Sequence, residues 1–117
     1  MVRIESDLPE IELAPGVRSR PLVGDRLLAS FVRYEPNSVA PLHAHAEEQV
    51  FIVVEGELEM TLGGAVRLMR AGEAALIPAW VQHTARSFDA PRLSDRRLQP
   101  APPGDARPSQ AVDVRRR

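Results

Sequence analysis

His43-Ala44-His45-Ala46-Glu47-Glu48-Gln49, followed by Val50-Phe51-Ile52-Val53-Val54-Glu55-Gly56, is the stretch that decides the fold of this chain. Two histidines one residue apart project from the same face of an extended strand, because side chains there repeat with a period of two. The third and last histidine, His83, follows much later. It joins the pair only if the chain folds back over itself, as antiparallel hairpins do. The pattern therefore predicts a metal-binding β-barrel.

Composition limits the classes of function that this chain can have. With 117 residues it is long enough for one domain, and a net charge of −1 gives no field that would attract nucleic acid or an anionic membrane. There is no cysteine and no lysine, which excludes disulfides, thiol nucleophiles and Schiff bases. No apolar run approaches the roughly 20 residues of a membrane-spanning helix, and the N-terminus lacks the apolar core of a signal peptide. We expect a cytoplasmic protein that acts on a small molecule.

Short strand-like segments separated by glycine and proline dominate the chain, and no helix is expected. Residues 1–26 carry broken apolar pieces, residues 27–99 are expected to form the barrel core, and the Pro/Arg-rich residues 100–117 are expected to be a flexible tail. About eight short strands indicate a small barrel or jelly roll. The expected strands are Leu27–Tyr34, Gln49–Glu55, an alternating segment at Leu58, Met60 and Leu62, Val66–Met69, Ala74–Ile77, His83–Ser87 and Leu93–Leu98, with an extended segment over Val39–His45.

The spacing of the marked residues resembles the two motifs of the cupin superfamily. The first motif of that family is His-x-His, three or four residues, Glu, six residues and Gly, which matches His43 through Gly56. The second is Gly, five residues and Pro-x-Gly-x-x-His, which matches Gly72 through His83. The resemblance implies an all-β, single-domain double-stranded β-helix, the jelly-roll barrel. Three positions depart from the family pattern: Gln49 replaces glutamate, Trp80 replaces glycine and Ser87 replaces asparagine.

The resemblance also implies a metal site with four ligands. It places one divalent ion on His43, His45, Gln49 and His83, with Glu47 or Glu48 as the alternatives to Gln49. Three imidazoles and an amide are all neutral, so the full +2 charge of the ion is left uncompensated by protein. Nitrogen and oxygen ligands without sulfur suit Zn, Fe, Ni, Co or Mn.

The string from His43 to Gln49 is also similar to that of small cupins involved in pectin degradation, which process unsaturated uronates. This similarity implies an isomerase, ring-opening or lyase-type enzyme for a small oxygenated substrate such as a sugar acid, with Asp95 or Glu47 moving the proton. In those cupins a phenylalanine follows the late aspartate by two residues, whereas here Arg97 stands at that place. Two alternatives stay open: an Fe(II)-dependent dioxygenase, and a non-catalytic cupin that binds metal or a small ligand.

Other residues are candidates for contacts with a substrate. Arg33 and Tyr34 alternate along a strand, so one of them should face inward, either as a carboxylate clamp or as a proton-transfer group. Trp80 is a candidate wall of the pocket mouth, and Phe51 and Met60 are expected to line the barrel. Small cupins usually pair through an edge or swapped terminal strand, so residues 1–26 are expected to help form a homodimer.

Overall fold

Two antiparallel β-sheets form the protein in the computed structural model, which describes residues 1–89 and 108–116. The larger sheet has the strand order β1-β2-β3-β9-β4-β7, and the smaller one has the order β6-β5-β8. A single turn of 3-10 helix at Glu5–Asp7 precedes the strands. In chain order the strands are β1 Ile11–Ala14, β2 Val17–Val23, β3 Leu27–Tyr34, β4 Gln49–Glu55, β5 Glu57–Leu62, β6 Ala65–Arg70, β7 Ala74–Ile77, β8 His83–Arg86 and β9 Ser109–Arg116.

The sequence-based assignment of the central strands is confirmed. The bounds of β3, β4 and β7 agree with the prediction, β6 is one residue longer at each end, and β8 ends one residue earlier. Val39–His45 is extended but pairs only through two isolated bridges, at Val39 and His43. The predicted strand Leu93–Leu98 lies outside the described residues.

The prediction of a flexible tail is wrong for residues 109–116. They form β9, which lies between β3 and β4 near the middle of the six-stranded sheet and pairs with both. The β-branched residues Val112 and Val114 are a weak strand signal that the preceding prolines and the terminal arginines obscured. The barrel core therefore reaches well beyond residue 99.

The core lies between the two sheets and follows strand parity. In β4 the inward residues Phe51 and Val53 are 4% and 0% exposed, and in β5 Leu58 and Met60 are 0% and 3% exposed. Alternate residues of each strand point to opposite faces, so one face of each sheet fills the barrel. The all-β jelly-roll fold is confirmed. In the described ranges no helix is long and apolar enough to cross a membrane.

Gly56 connects β4 to β5 at the point where β9 begins. Its φ of +78° is a conformation that glycine adopts without steric cost. A Cβ at this position would lie 2.6 Å from the Oγ of Ser109, which donates a hydrogen bond to the carbonyl oxygen of Glu57. The glycine of the first motif is therefore needed both for the tight turn and for the close approach of β9.

Candidate metal centre

Three imidazoles meet at one end of the barrel. His43 and His83 exchange two backbone hydrogen bonds, of 3.1 and 2.9 Å, and thereby hold the segment before β4 against the start of β8. The backbone carbonyl of His45 accepts a hydrogen bond from the Trp80 amide at 2.7 Å. One potential ligand nitrogen from each histidine lies within 4.8 Å of the other two. The predicted convergence of the three histidines is confirmed.

Backbone carbonyls determine which ring nitrogen carries the proton. The Nδ1 atoms of His43, His45 and His83 lie 2.7, 2.8 and 2.9 Å from the carbonyl oxygens of Pro41, Glu47 and Val81. A carbonyl oxygen only accepts hydrogen bonds, so each Nδ1 is the donor. In the neutral ring this leaves a lone pair on each Nε2, which is the arrangement that metal-ligating histidines use.

The buried environment of His83 fits a cation. The residue is 3% exposed, and its Nε2 has no hydrogen-bond partner among the described residues. Burial lowers the pKa of His83, and the charges of His43, His45 and Arg115 lower it further. The hydrogen bond from its ring to the Val81 carbonyl raises the pKa, but by less. A buried, unpaired nitrogen lone pair is costly unless a proton donor or a metal ion satisfies it. The donor set therefore fits a metal ion.

Gln49 contributes an oxygen to the same cluster. It is 3% exposed on the inner face of β4, and its Oε1 lies 2.8 Å from the Nε2 of His45. Its amide also hydrogen-bonds the Asp113 carboxylate on β9, which requires the NH₂ group to face Asp113 and the oxygen to face His45. The Oε1 of Gln49 and the unprotonated Nε2 of His45 then face each other as two acceptors, and a cation bound to both would satisfy them.

Asp113 and Arg115 are functional candidates that the sequence analysis missed, because residues 109–116 were assigned to a tail. Both point inward from β9, and the backbone of Arg115 is paired with that of Gln49. Arg115 donates from Nε to Oδ2 of Asp113 at 3.1 Å, and its Nη2 atom lies 3.1 Å from the same oxygen. Asp113 is 5% exposed, and its Oδ1 has no hydrogen-bond partner among the described residues.

The charges around Asp113 oppose each other. Burial raises the pKa of its carboxyl, while Arg115, His45 and the hydrogen bond from Gln49 lower it. The Arg115 guanidinium is 30% exposed and lies close enough to His83 to influence its pKa. The site thus contains one partly exposed cation beside the imidazoles and one buried anion behind Gln49.

Tyr34 is the inward member of the Arg33–Tyr34 pair. It is 4% exposed, and burial raises the pKa of its phenol far above the usual range, with a further upward contribution from Asp113. Tyr34 therefore stays protonated and can donate a hydrogen bond but does not act as a base. Arg33 is exposed on the outer face of the sheet, away from the imidazoles. Its predicted role as a substrate clamp in this site is wrong, because strand parity directs it to the opposite face.

Trp80 adopts a conformation that is uncommon for a residue with a side chain. Its φ is +63°, in the left-handed region, and its side chain is 70% exposed. The cupin motif has glycine here because the turn needs this conformation, which costs an L-residue about 1–2 kcal/mol. The backbone bond to His45 places this turn against the segment that carries two of the histidines, and the role of the indole at a pocket mouth stays a prediction.

The remaining predicted residues occupy different environments. Phe51 and Met60 are buried in the core, so they would contact a substrate only from the inner wall of the barrel. The carboxylate of Glu47 is 44% exposed, with Oε2 3.5 Å from the Nδ1 of His45, on the side of the ring that faces away from Nε2. Glu47 thus helps to orient the His45 ring, and its carboxylate does not reach the Nε2 side of that ring. Asp95 lies outside the described residues.

Comparison with known proteins agrees with this geometry. The cupin domain family matches residues 30–89. The chain belongs to the cupin family. H2HPP isomerase from Bacillus subtilis is 40% identical over 97 residues, which span 74% of this chain and 40% of that protein. The chain thus spans about two fifths of the length of this curated relative.

Two solved structures show the same fold. An RmlC-like cupin from Shewanella frigidimarina superposes with a TM-score of 0.76 at 19% identity, over 97% of this chain and 87% of that chain. KdgF from a Halomonas species superposes with a TM-score of 0.75 at 21% identity, over 97% of this chain and 89% of that chain. The predicted membership of the cupin family is confirmed by the family match.

Proposed function

We propose that this cupin is a metal-dependent isomerase or lyase-type enzyme for a small oxygenated acid such as a sugar acid. The observation that carries the proposal is the convergence of three imidazole Nε2 atoms with the Gln49 amide oxygen, next to a partly exposed arginine. The isomerase name of the Bacillus subtilis relative supports the same class of reaction.

His43, His45, His83 and Gln49 would hold the ion. All four side chains are neutral donors, and the buried carboxylate of Asp113, which hydrogen-bonds Gln49, is shared with Arg115. A bound divalent ion supplies Lewis acidity, which polarises a carbonyl or hydroxyl oxygen of the substrate. Because the protein does not neutralise its charge, the site favours a ligand that brings a negative charge of its own.

Arg115 is the group that would bind a substrate carboxylate. Its Nε and Nη2 atoms both contact one oxygen of Asp113. Nη1 and the exposed side of the guanidinium are then available to a substrate. An arginine held by such a pair is pre-oriented, and its planar donors match a carboxylate. This assigns to Arg115 the clamp that the sequence analysis had assigned to Arg33.

Isomerisation requires a proton to leave one substrate atom and return to another. Asp113 Oδ1 is a buried carboxylate oxygen with no donor in residues 1–89 and 108–116, so it is a suitable acceptor for that proton. Tyr34, with its raised pKa, contributes a hydrogen-bond donor inside the barrel. Glu47 and Asp95 remain predictions for this role, and the position of Glu47 behind the His45 ring favours Asp113 over it.

Trp80 would cover the open side of the substrate. Its indole is exposed and its backbone amide bonds the carbonyl of His45, so the indole would offer an apolar face to the ring or carbon chain of a bound acid. The cost of the left-handed backbone suggests that the side chain has a function, since strain of this kind collects at functional sites.

The experiment is metal analysis of the purified protein, followed by turnover of an unsaturated uronate measured through the ultraviolet absorbance of its double bond. We expect one equivalent of metal that is lost in His45→Ala. We also expect Arg115→Gln to raise KM, while Arg116→Gln, the exposed neighbour on the same strand, leaves it unchanged. Iron with oxygen consumption would instead indicate the dioxygenase, and metal binding without any turnover would indicate the non-catalytic cupin. The cytoplasmic location and the homodimer stay predictions.

A further inference from the structure

A cleft opens on the side of the barrel between β6 and β7. In the part of the chain that the structure describes, these strands lie at the edges of the two sheets, so no backbone pairing closes the seam between them. The cleft has a volume of about 310 Å³, at the lower end of the range for small-molecule pockets. None of the four candidate metal ligands lines it, so it is a separate space beside the metal centre.

The inside of this side cleft is apolar and its rim is charged. Met60 and Met69 are 3% and 4% exposed, and leucines and alanines supply the rest of the apolar lining. Among the described residues, the polar side chains of the lining are Arg67 and Glu73, whose charged groups lie 3.7 Å apart and are 79% and 42% exposed. Away from this rim a ligand hydroxyl would meet no polar side chain, and burying it without a hydrogen bond is unfavourable.

Strand pairing places the side cleft next to the metal centre. Leu62 of β5 pairs with Ala65 of β6 on one side and with His83 of β8 on the other. The three residues therefore form one row across the inner face of the small sheet, in which neighbouring Cα atoms are about 5 Å apart. The cleft at Ala65 thus begins roughly 10 Å, or two strand spacings, from a candidate ligand histidine. A substrate held by the ion would reach it by passing over Leu62.

The facing sheet continues the same space. Gln49 pairs with Ile77, which is 0% exposed, so the barrel is closed in that row. The next inward residue of β7 is Ala75, which pairs with Phe51 and lines the cleft. Because alanine leaves empty the volume that a larger side chain would fill, the cleft extends inward at this row. The methionines of the small sheet add an adaptable wall, since a thioether side chain fits ligands of different outline.

We propose that the side cleft binds the apolar chain or ring of an acid whose oxygenated end is held by the metal ion and Arg115. The inference rests on the proposed function and narrows its substrate class to acids with several apolar carbons beyond the oxygenated end. Gln49 pairs with Arg115 on β9 and with Ile77 on β7, so the arginine and the cleft lie on opposite sides of it. The carboxylate and the apolar part of one ligand can therefore occupy both places at once.

Methionine methyl resonances test the proposal in the full chain. The chain has three methionines: Met60 and Met69 line the cleft, and Met1, which is 96% exposed, is an internal reference. In zinc-loaded protein with labelled methionine methyl groups, 2-oxooctanoate should shift the signals of Met60 and Met69 and leave that of Met1 in place. Pyruvate, which has the same oxygenated end without the chain, should shift them much less. 1-Hexanol, which has the chain without the acid, should shift the same two signals at higher concentration.

Calorimetry of the two acids measures the strength of the subsite. A methylene group raises affinity about fourfold when fully buried and about twofold when half-buried. The five additional methylene groups of 2-oxooctanoate should therefore give a Kd at least about thirtyfold below that of pyruvate. Ala65→Leu fills the cleft and should reduce this ratio to less than about fivefold. Ala71→Leu, the same change at an exposed turn residue outside the cleft, should keep the ratio.

Each outcome decides a separate point. Equal affinity for the two acids, unshifted signals of Met60 and Met69, or a ratio that survives Ala65→Leu would overturn the proposal. If neither acid binds but 1-hexanol shifts the two signals in the wild type and not in Ala65→Leu, the apolar cleft stands and the proposed function is wrong. If 1-hexanol fails as well, both are overturned. The methyl signals also report folding, and Ala65→Val replaces Ala65→Leu if the larger side chain prevents it.

Discussion

Gln49→Glu is the change that most directly tests why this cupin has an amide where the family pattern has a carboxylate. An amide donates to Asp113 and presents its oxygen to His45 at the same time. A glutamate has no proton to donate at neutral pH, so two carboxylates would face each other. Gln49 and Asp113 are 3% and 5% exposed, and water therefore screens them little.

The folded variant can keep both carboxylates ionised or protonate one of them, and the cheaper of these two states sets the loss of folding free energy. Two carboxylates about 4 Å apart repel by about 4 kcal/mol at an effective dielectric constant of about 20. Keeping one of them protonated at pH 7 costs a similar amount, about 4 kcal/mol for an ordinary carboxyl pKa. We therefore expect a loss of about 3–4 kcal/mol in the free energy of unfolding of the metal-free protein. This corresponds to a fall of about 12–16 °C in Tm for a chain of this size.

The assay is thermal and urea unfolding at pH 7 with a chelator present. Asp113→Asn in the Gln49→Glu background supplies an amide donor to the new carboxylate, so the double-mutant cycle should give a coupling energy of at least about 2 kcal/mol. Gln82→Glu, at an exposed glutamine just before β8, is the control for the same chemical change without burial and should change stability by about 0.5 kcal/mol or less. A loss below about 1 kcal/mol for Gln49→Glu, or a coupling energy near zero, refutes the reasoning.

Four further predictions follow from the same structure. A divalent ion at about 100 times its Kd should stabilise the wild-type chain by about 2.7 kcal/mol and raise Tm by roughly 10 °C, and calorimetry should show no such rise in His45→Ala. Burial lowers the pKa of His83, so as the pH falls this histidine takes up a proton in the unfolded chain before it does so in the folded chain. The metal-free protein should therefore lose stability as the pH falls below 6.5. His83→Gln should flatten that part of the stability–pH profile, and an unchanged slope would contradict this origin. Trp80→Gly should remove about 1–2 kcal/mol of backbone strain and raise Tm, yet weaken acid binding measured by calorimetry; equal affinity would rule out a role for the indole. Gly56→Ala should cost at least about 2 kcal/mol in urea unfolding, from positive φ and the contact with Ser109; pairing it with Ser109→Gly should recover only the contact part.

Local patterns in the sequence were sufficient for the central strands and for the shared direction of His43 and His45. The alternation in Gln49–Glu55 and the period-two spacing of His43 and His45 depend on neighbouring residues alone, and the structure confirms both. These features are predictable because strand geometry directs each side chain according to its position in the strand.

Only the tertiary structure decided which other groups meet the three imidazoles. Residues 109–116 follow a proline-rich stretch and end in arginines, and their strand signal became structure only because β3 and β4 offer two free edges for pairing. That pairing brings Asp113 and Arg115 beside Gln49, more than sixty residues away in the chain. The sequence by itself determined a cupin with three histidines that converge and could hold a metal ion. Long-range strand pairing, which no local pattern encodes, decided the electrostatics of that site.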